Sequence, residues 1–175
     1  MTVQLILTLI SFLIFVIYNS IAQNIFDIPS SLSNTYYLYN EKKKGLGIIF
    51  SIMMVLCAGL LMPAWLDISV GSDFQFLIFF CCAMLCFVGY APNFKGTNIE
   101  SIVHSASAIA SAVFGLLWVI LVTPYWYIVL ICAVLILFAA YNSKTLKKCY
   151  VYWLEMIAFY SIYISIIDYY FFLFI

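Results

Sequence analysis

The chain has 175 residues, of which 67% are hydrophobic and 8% charged, with equal numbers of basic and acidic side chains and a formal net charge of zero. Its mean hydropathy of +1.17 and scarce charge set it apart from soluble domains, where about a quarter of residues are charged. Balanced charge without arginine leaves no nucleic-acid footprint, and no polar segment has the length of a soluble domain, the longest being 19–44.

A helix crosses the ~30 Å hydrocarbon layer in about 20 residues, because it rises ~1.5 Å per residue and lipid offers no partner to an open backbone group. The first candidate span is 3–18. Ser20-Ile21-Ala22 after it has the small-x-small pattern of a signal-peptide cleavage site, but the basic stretch that opens such peptides is missing, and the segment reads as a retained span. The loop 19–44 contains Asp27-Ile28-Pro29-Ser30-Ser31-Leu32-Ser33-Asn34-Thr35-Tyr36-Tyr37-Leu38-Tyr39, in which turn and cap residues lead into tyrosines. It predicts a short helix lying at the lipid headgroups and ending at Lys42, Lys43 and Lys44.

Spans at 46–65 and 74–90 follow. The region 99–141 is apolar throughout and would reach roughly 64 Å as one helix, about twice the bilayer, so it must fold back. Thr123-Pro124-Tyr125 marks the turn, since proline lacks an amide donor and steers its predecessor away from helix. That divides the region into spans 99–122 and 126–141, and a sixth runs over 150–174.

All the lysines fall after spans one, three and five, which predicts that those breaks face the cytoplasm and both termini the opposite side. Aromatic residues agree, with Trp65, Trp118, Tyr125, Trp126, Tyr169 and Tyr170 at the outer boundary and Tyr90, Tyr141, Tyr150 and Trp153 at the inner one. The expected fold is therefore all-α, a single polytopic bundle of six spans in a bacterial inner membrane.

Span four is rich in Ser, Ala and Gly and is expected to lie at the centre. At ~100° per residue, Glu100, His104, Ser107, Ser111, Gly115 and Trp118 share one narrow stripe, with Ala108 and Ala112 beside it. Small residues permit close helix approach, which accounts for Ser107, Ser111 and Gly115 as a supporting seam. Glu100 and His104 are one turn apart, and Glu155 enters span six from the same side, about 8 Å along its axis. Ionisable groups within spans usually face protein or water and find partners, so these three are expected to converge in one polar cluster. The cluster can clamp span four to span six, take up and release protons for transport, or offer metal ligands.

The six cysteines include five within spans, where they read as small packing residues, although Cys82 and Cys86 lie one turn apart on a helix. Asp168, Ser161 and Ser165 form a second short polar face near the outer end of span six. That leaves His104 and Asp168 on opposite sides of the membrane and disfavours a Ser-His-Asp hydrolase, while the single histidine excludes a three-histidine zinc site. No Walker motif is present and no motif calls for a cofactor.

The runs Leu61-Met62-Pro63-Ala64-Trp65-Leu66, Gly89-Tyr90-Ala91-Pro92-Asn93-Phe94-Lys95 and Glu100-Ser101-Ile102-Val103-His104 resemble small six-span bacterial or phage-associated membrane proteins of unassigned function. The resemblance covers nearly the whole chain and implies the architecture without a chemistry. The sequence thus reads as a binding, accessory or scaffold protein without intrinsic enzyme activity. A small proton- or cation-coupled transporter acting as an oligomer and a lipid-modifying membrane enzyme are the alternatives. Membrane lipids, with a second copy of the chain or another membrane protein, are the expected partners.

Overall fold

The computed structural model describes residues 3–92, 95 and 99–172 and is all helical there. Its helices are α1 (Val3–Phe26), α2 (Asn34–Lys42), α3 (Ile48–Ile68), α4 (Phe76–Tyr90), α5 (Ile99–Val122), α6 (Trp126–Asn142) and α7 (Tyr150–Phe172). Four of them, α1, α3, α5 and α7, are long and apolar enough to cross a membrane, and α4 and α6 are shorter apolar helices of 15 and 17 residues. At ~1.5 Å per residue these last two reach roughly 22 and 25 Å. By helix length and hydropathy this is a polytopic membrane protein.

Local chemistry explains the ends. Asp27 takes a left-handed backbone (φ 59°) immediately after α1, and Lys144 does the same (φ 57°) just beyond α6, where the Thr145 amide turns back to the Ala140 carbonyl. The expected break at Pro124 falls between α5 and α6, and Thr123 seals it: its hydroxyl donates to the Val119 carbonyl at 2.7 Å and accepts the Tyr125 amide at 3.2 Å. Gly45, with φ 92°, turns α2 into α3, and the Asn40 side-chain oxygen accepts the amides of Gly45 and Gly47. The predicted sixth span reaches residue 174, whose last two positions lie outside the described residues.

α7, not α5, occupies the centre. It packs against α1, α3, α5 and α6, and 56% of its most apolar window is buried against 28% for α5. Small side chains let α5 approach its neighbours along one stripe, but that stripe is narrow, and the rest of the helix faces outward. Phe15 of α1 stacks on Phe159 of α7 with ring centroids 4.6 Å apart. Ser11 shares a hydrogen bond with the Tyr163 hydroxyl at 2.8 Å and also donates to the Cys57 carbonyl, so α1, α3 and α7 meet in one polar knot within an apolar core.

At one end of the bundle Tyr170 donates to Asp67 at 2.7 Å and the Trp118 indole N–H donates to Ser69 at 2.8 Å. Trp65, Trp118 and Tyr170 are fully buried there, so the outer aromatic boundary expected from them is instead part of the core. The other end collects the lysine-bearing breaks: Lys95 stands 4.3 Å over the Tyr37 ring, and Tyr152 at the start of α7 bonds the Ser30 carbonyl. Tyr90, Tyr141 and Tyr150 at this lysine end are widely exposed, as residues of an interface are.

Candidate functional site

The segment that follows α1 builds the site. After the left-handed turn at Asp27, the chain enters the bundle, and Pro29, Ser31, Leu32 and Ser33 are all buried. The sequence predicts residues 19–44 as a loop at the headgroups; instead α1 takes in 19–26, and 28–33 is wedged between the starts of α5 and α7. The helix predicted among the tyrosines does form, as α2.

The wedge is held by its backbone and by one side chain. Its Ser30 carbonyl accepts the Tyr152 amide at 3.2 Å, and the Cys149 thiol donates to the Ile28 carbonyl at 3.3 Å. Burial pushes the Cys149 thiol up from its ordinary pKa, although neighbouring Lys148 pulls the other way, which keeps it a donor. Glu155 of α7 accepts the Leu32 amide at 2.6 Å. His104 of α5 uses both ring nitrogens: Nδ1 lies 2.7 Å from the Ala91 carbonyl and Nε2 lies 2.9 Å from the Ser33 hydroxyl. A carbonyl can only accept, so in the neutral ring Nδ1 carries the proton and Nε2 accepts from Ser33.

His104 and Glu155 therefore do not need each other as partners; each grips an adjacent residue of the same wedge, Ser33 and Leu32. Both border a cleft of about 490 Å³ at the lysine end, together with Ser30, Ser33, Lys148 and Ile109. Glu100 is partly buried one turn before His104 and is not among the residues lining that cleft. Ser107, Ser111 and Gly115 are buried along the stripe read from sequence, and Gly115 lies where a Cβ would come 2.5 Å from the Ile162 Cδ1 of α7. Among the described residues no three His, Cys, Asp or Glu side chains are placed to hold a metal ion. All six cysteines are free thiols; Cys82 points its sulfur at the Ala58 carbonyl.

A second, smaller cavity of about 40 Å³ lies among α3, α4, α5 and α7, and Glu155 and Ser33 line it as well as the cleft. Trp65 also lines it, and its indole N–H is buried and has no hydrogen-bond partner. Ser165 of the second polar face also keeps a buried, unpartnered hydroxyl, whereas Ser161 bonds back to the Ile157 carbonyl at 2.6 Å.

Ser33 is the residue that sequence reasoning passes over. It stands in a run of hydroxyl residues and reads as a helix cap, and it does occupy the N-cap position of α2, but without a side-chain capping bond. Only the fold brings it to a histidine 71 positions away. No protein-family model matches the chain, and no curated protein or solved structure is significantly similar to it.

Proposed function

We propose that this is a six-span protein of the bacterial inner membrane, with both termini on the non-cytoplasmic side, and that it acts as a binding or accessory protein that takes the polar head of a membrane lipid into the cleft at its lysine end. The topology is supported by the alternation of lysine-bearing and lysine-free breaks along the chain. The resemblance of the runs 61–66, 89–95 and 100–104 to small six-span bacterial or phage-associated membrane proteins supports the same reading.

The observation that carries the binding reading is the composition of the cleft. Its volume of about 490 Å³ is in the range of small-ligand sites, with Lys148 and the hydroxyls of Ser30, Ser31 and Ser105 on its walls beside the apolar Ala108, Ile109 and Val151. Hydroxyls and an ammonium suit a phosphate-bearing head, and an apolar wall suits the adjoining chain. The test is native mass spectrometry of protein released from phosphatidylglycerol and phosphatidylethanolamine vesicles. Retained phospholipid on the wild type, held about fivefold more weakly after Lys148→Ala, is the expected result, since one lysine near a lipid surface contributes about 1 kcal/mol. Bare wild-type protein, or undiminished retention in the variant, overturns the reading.

One observation favours a second reading, a small proton- or cation-coupled transporter acting as an oligomer. Glu155 and Ser33 line both the cleft and the smaller cavity, which at about 40 Å³ has room for a water and counts Trp65, whose N–H is unpartnered, among its lining residues. A carboxylate reached from both sides is the arrangement a proton relay requires. Reconstituted vesicles that show no proton flux distinguishable from a Glu155→Gln variant would remove this reading.

A further inference from the structure

We propose that Ser33 and His104 form a nucleophile–base pair that transfers an acyl group from an ester of a membrane amphiphile, the cleft being its substrate entrance. The inference rests on the cleft receiving such an amphiphile, as above, and adds the chemistry.

Geometry supports it in three steps. The Ala91 carbonyl, 2.7 Å from Nδ1, fixes the neutral imidazole as the tautomer with its lone pair on Nε2, the job a carboxylate does in a three-residue triad. Nε2 then lies 2.9 Å from the Ser33 Oγ, within the reach a general base needs to take a hydroxyl proton. Finally, the Ser33 hydroxyl is not spent elsewhere on its helix: a serine at an N-cap usually bonds an amide of the first turn and contributes ~1 kcal/mol by doing so, yet Ser33 makes no capping bond. Both side chains line the same cleft. Glu155 is a positioning residue, since its carboxylate holds the amide of Leu32, the residue before the nucleophile.

The step balances with water as the only co-reactant. Ser33 Oγ attacks the ester carbonyl carbon while its proton passes to His104 Nε2; the C–O bond to the alcohol breaks and Nε2 returns the proton to the departing oxygen. Water then attacks the acyl-Ser33 ester with Nε2 again as base, which releases a carboxylic acid and restores the serine. Lys148 and Ser105, also on the cleft wall, are the groups at hand to meet the developing oxyanion.

The experiment is labelling of the full-length protein in phospholipid nanodiscs with an alkyl fluorophosphonate, read by intact mass and peptide mapping. The expected result is a single adduct on Ser33, absent in Ser33→Ala, and formed roughly 100-fold or more slower in His104→Gln, as loss of a general base predicts. Circular dichroism and the melting profile verify that both variants fold. Should His104→Gln not fold, Ser33→Cys provides the second readout: its thiol should react with iodoacetamide faster than the other buried cysteines of the chain. An unlabelled Ser33 in folded wild type, a His104→Gln rate equal to wild type, or a Ser33→Cys thiol no faster than its neighbours overturns the proposal. Phospholipid retention by the wild type separates the outcomes: a wild type that retains lipid but is not labelled at Ser33 defeats the chemistry alone, whereas a wild type that retains no lipid defeats the binding reading.

Discussion

At Leu32 a single backbone amide depends on one side chain, the Glu155 carboxylate 2.6 Å away. Removing that acceptor leaves a buried donor unpaired, which costs about 1–3 kcal/mol, more than a typical hydrogen bond contributes. Glu155→Leu is therefore expected to lower thermal stability in detergent by that amount and to speed hydrogen exchange at Leu32. Glu155→Gln, which keeps an amide oxygen in place, should lose much less; equal losses would mean that the negative charge, and not the acceptor, holds the wedge. Tyr163→Phe makes a useful contrast. The hydroxyl it deletes bonds Ser11, but Ser11 keeps its bond to the Cys57 carbonyl, and hydrogen bonds between membrane helices average about 0.6 kcal/mol. A melting shift for Tyr163→Phe well below that of Glu155→Leu is expected, and the reverse order would contradict the ranking. The sequence shows that Glu155 and His104 need partners, because ionisable groups in spans do; it does not show that the partners are a backbone amide and a serine, since those come from a stretch that reads as surface loop.

Two glycines show how helix packing decides the effect of one methyl group. A Cβ on Gly47 would lie 2.6 Å from the Tyr36 carbonyl oxygen, a backbone atom that cannot move without carrying α2 with it. Gly47→Ala is expected to cost about 1–3 kcal/mol by overpacking and to loosen α2 from α3, seen as faster tryptic cleavage at Lys42, Lys43 and Lys44. A Cβ on Gly115 would meet the Ile162 Cδ1 at 2.5 Å, the free end of a side chain that can rotate aside, so Gly115→Ala should be the milder change in the same melting assay. The helix break at Thr123-Pro124 was legible because a proline sets it locally. The end of α1 was not. Asn19 and Gln23 look like loop residues, yet Asn19 bonds the Phe15 carbonyl one turn back and Gln23 reaches the Tyr152 hydroxyl at 2.6 Å, which lets the helix run on to Phe26.

For the molecule as a whole, the proposed orientation makes a direct expectation for accessibility. Val70→Cys, at a position 75% exposed near the end of α3, should react with an impermeant maleimide in intact cells. Lys144→Cys, exposed beyond α6 at the lysine end, should react only after the membrane is opened. The opposite pattern would invert the topology. The outward faces of the helices, with Leu130, Val134, Leu135 and Phe138 of α6 all more than half exposed, have the apolar character that a lipid surround accepts.

Hydropathy and lysine placement are properties of the chain in one dimension, and they sufficed for the membrane class, the helical segments and the buried stripe on α5, because lipid makes every crossing segment satisfy its own backbone. Two matters were left to the tertiary structure. Which helix lies at the centre depends on how many neighbours it touches, and α7 gains that place through large aromatic side chains that composition alone ranks no higher than the small ones of α5. The pairing of Ser33 with His104 depends on a wedge folding back between two helices, a long-range event for which local propensity carries no signal.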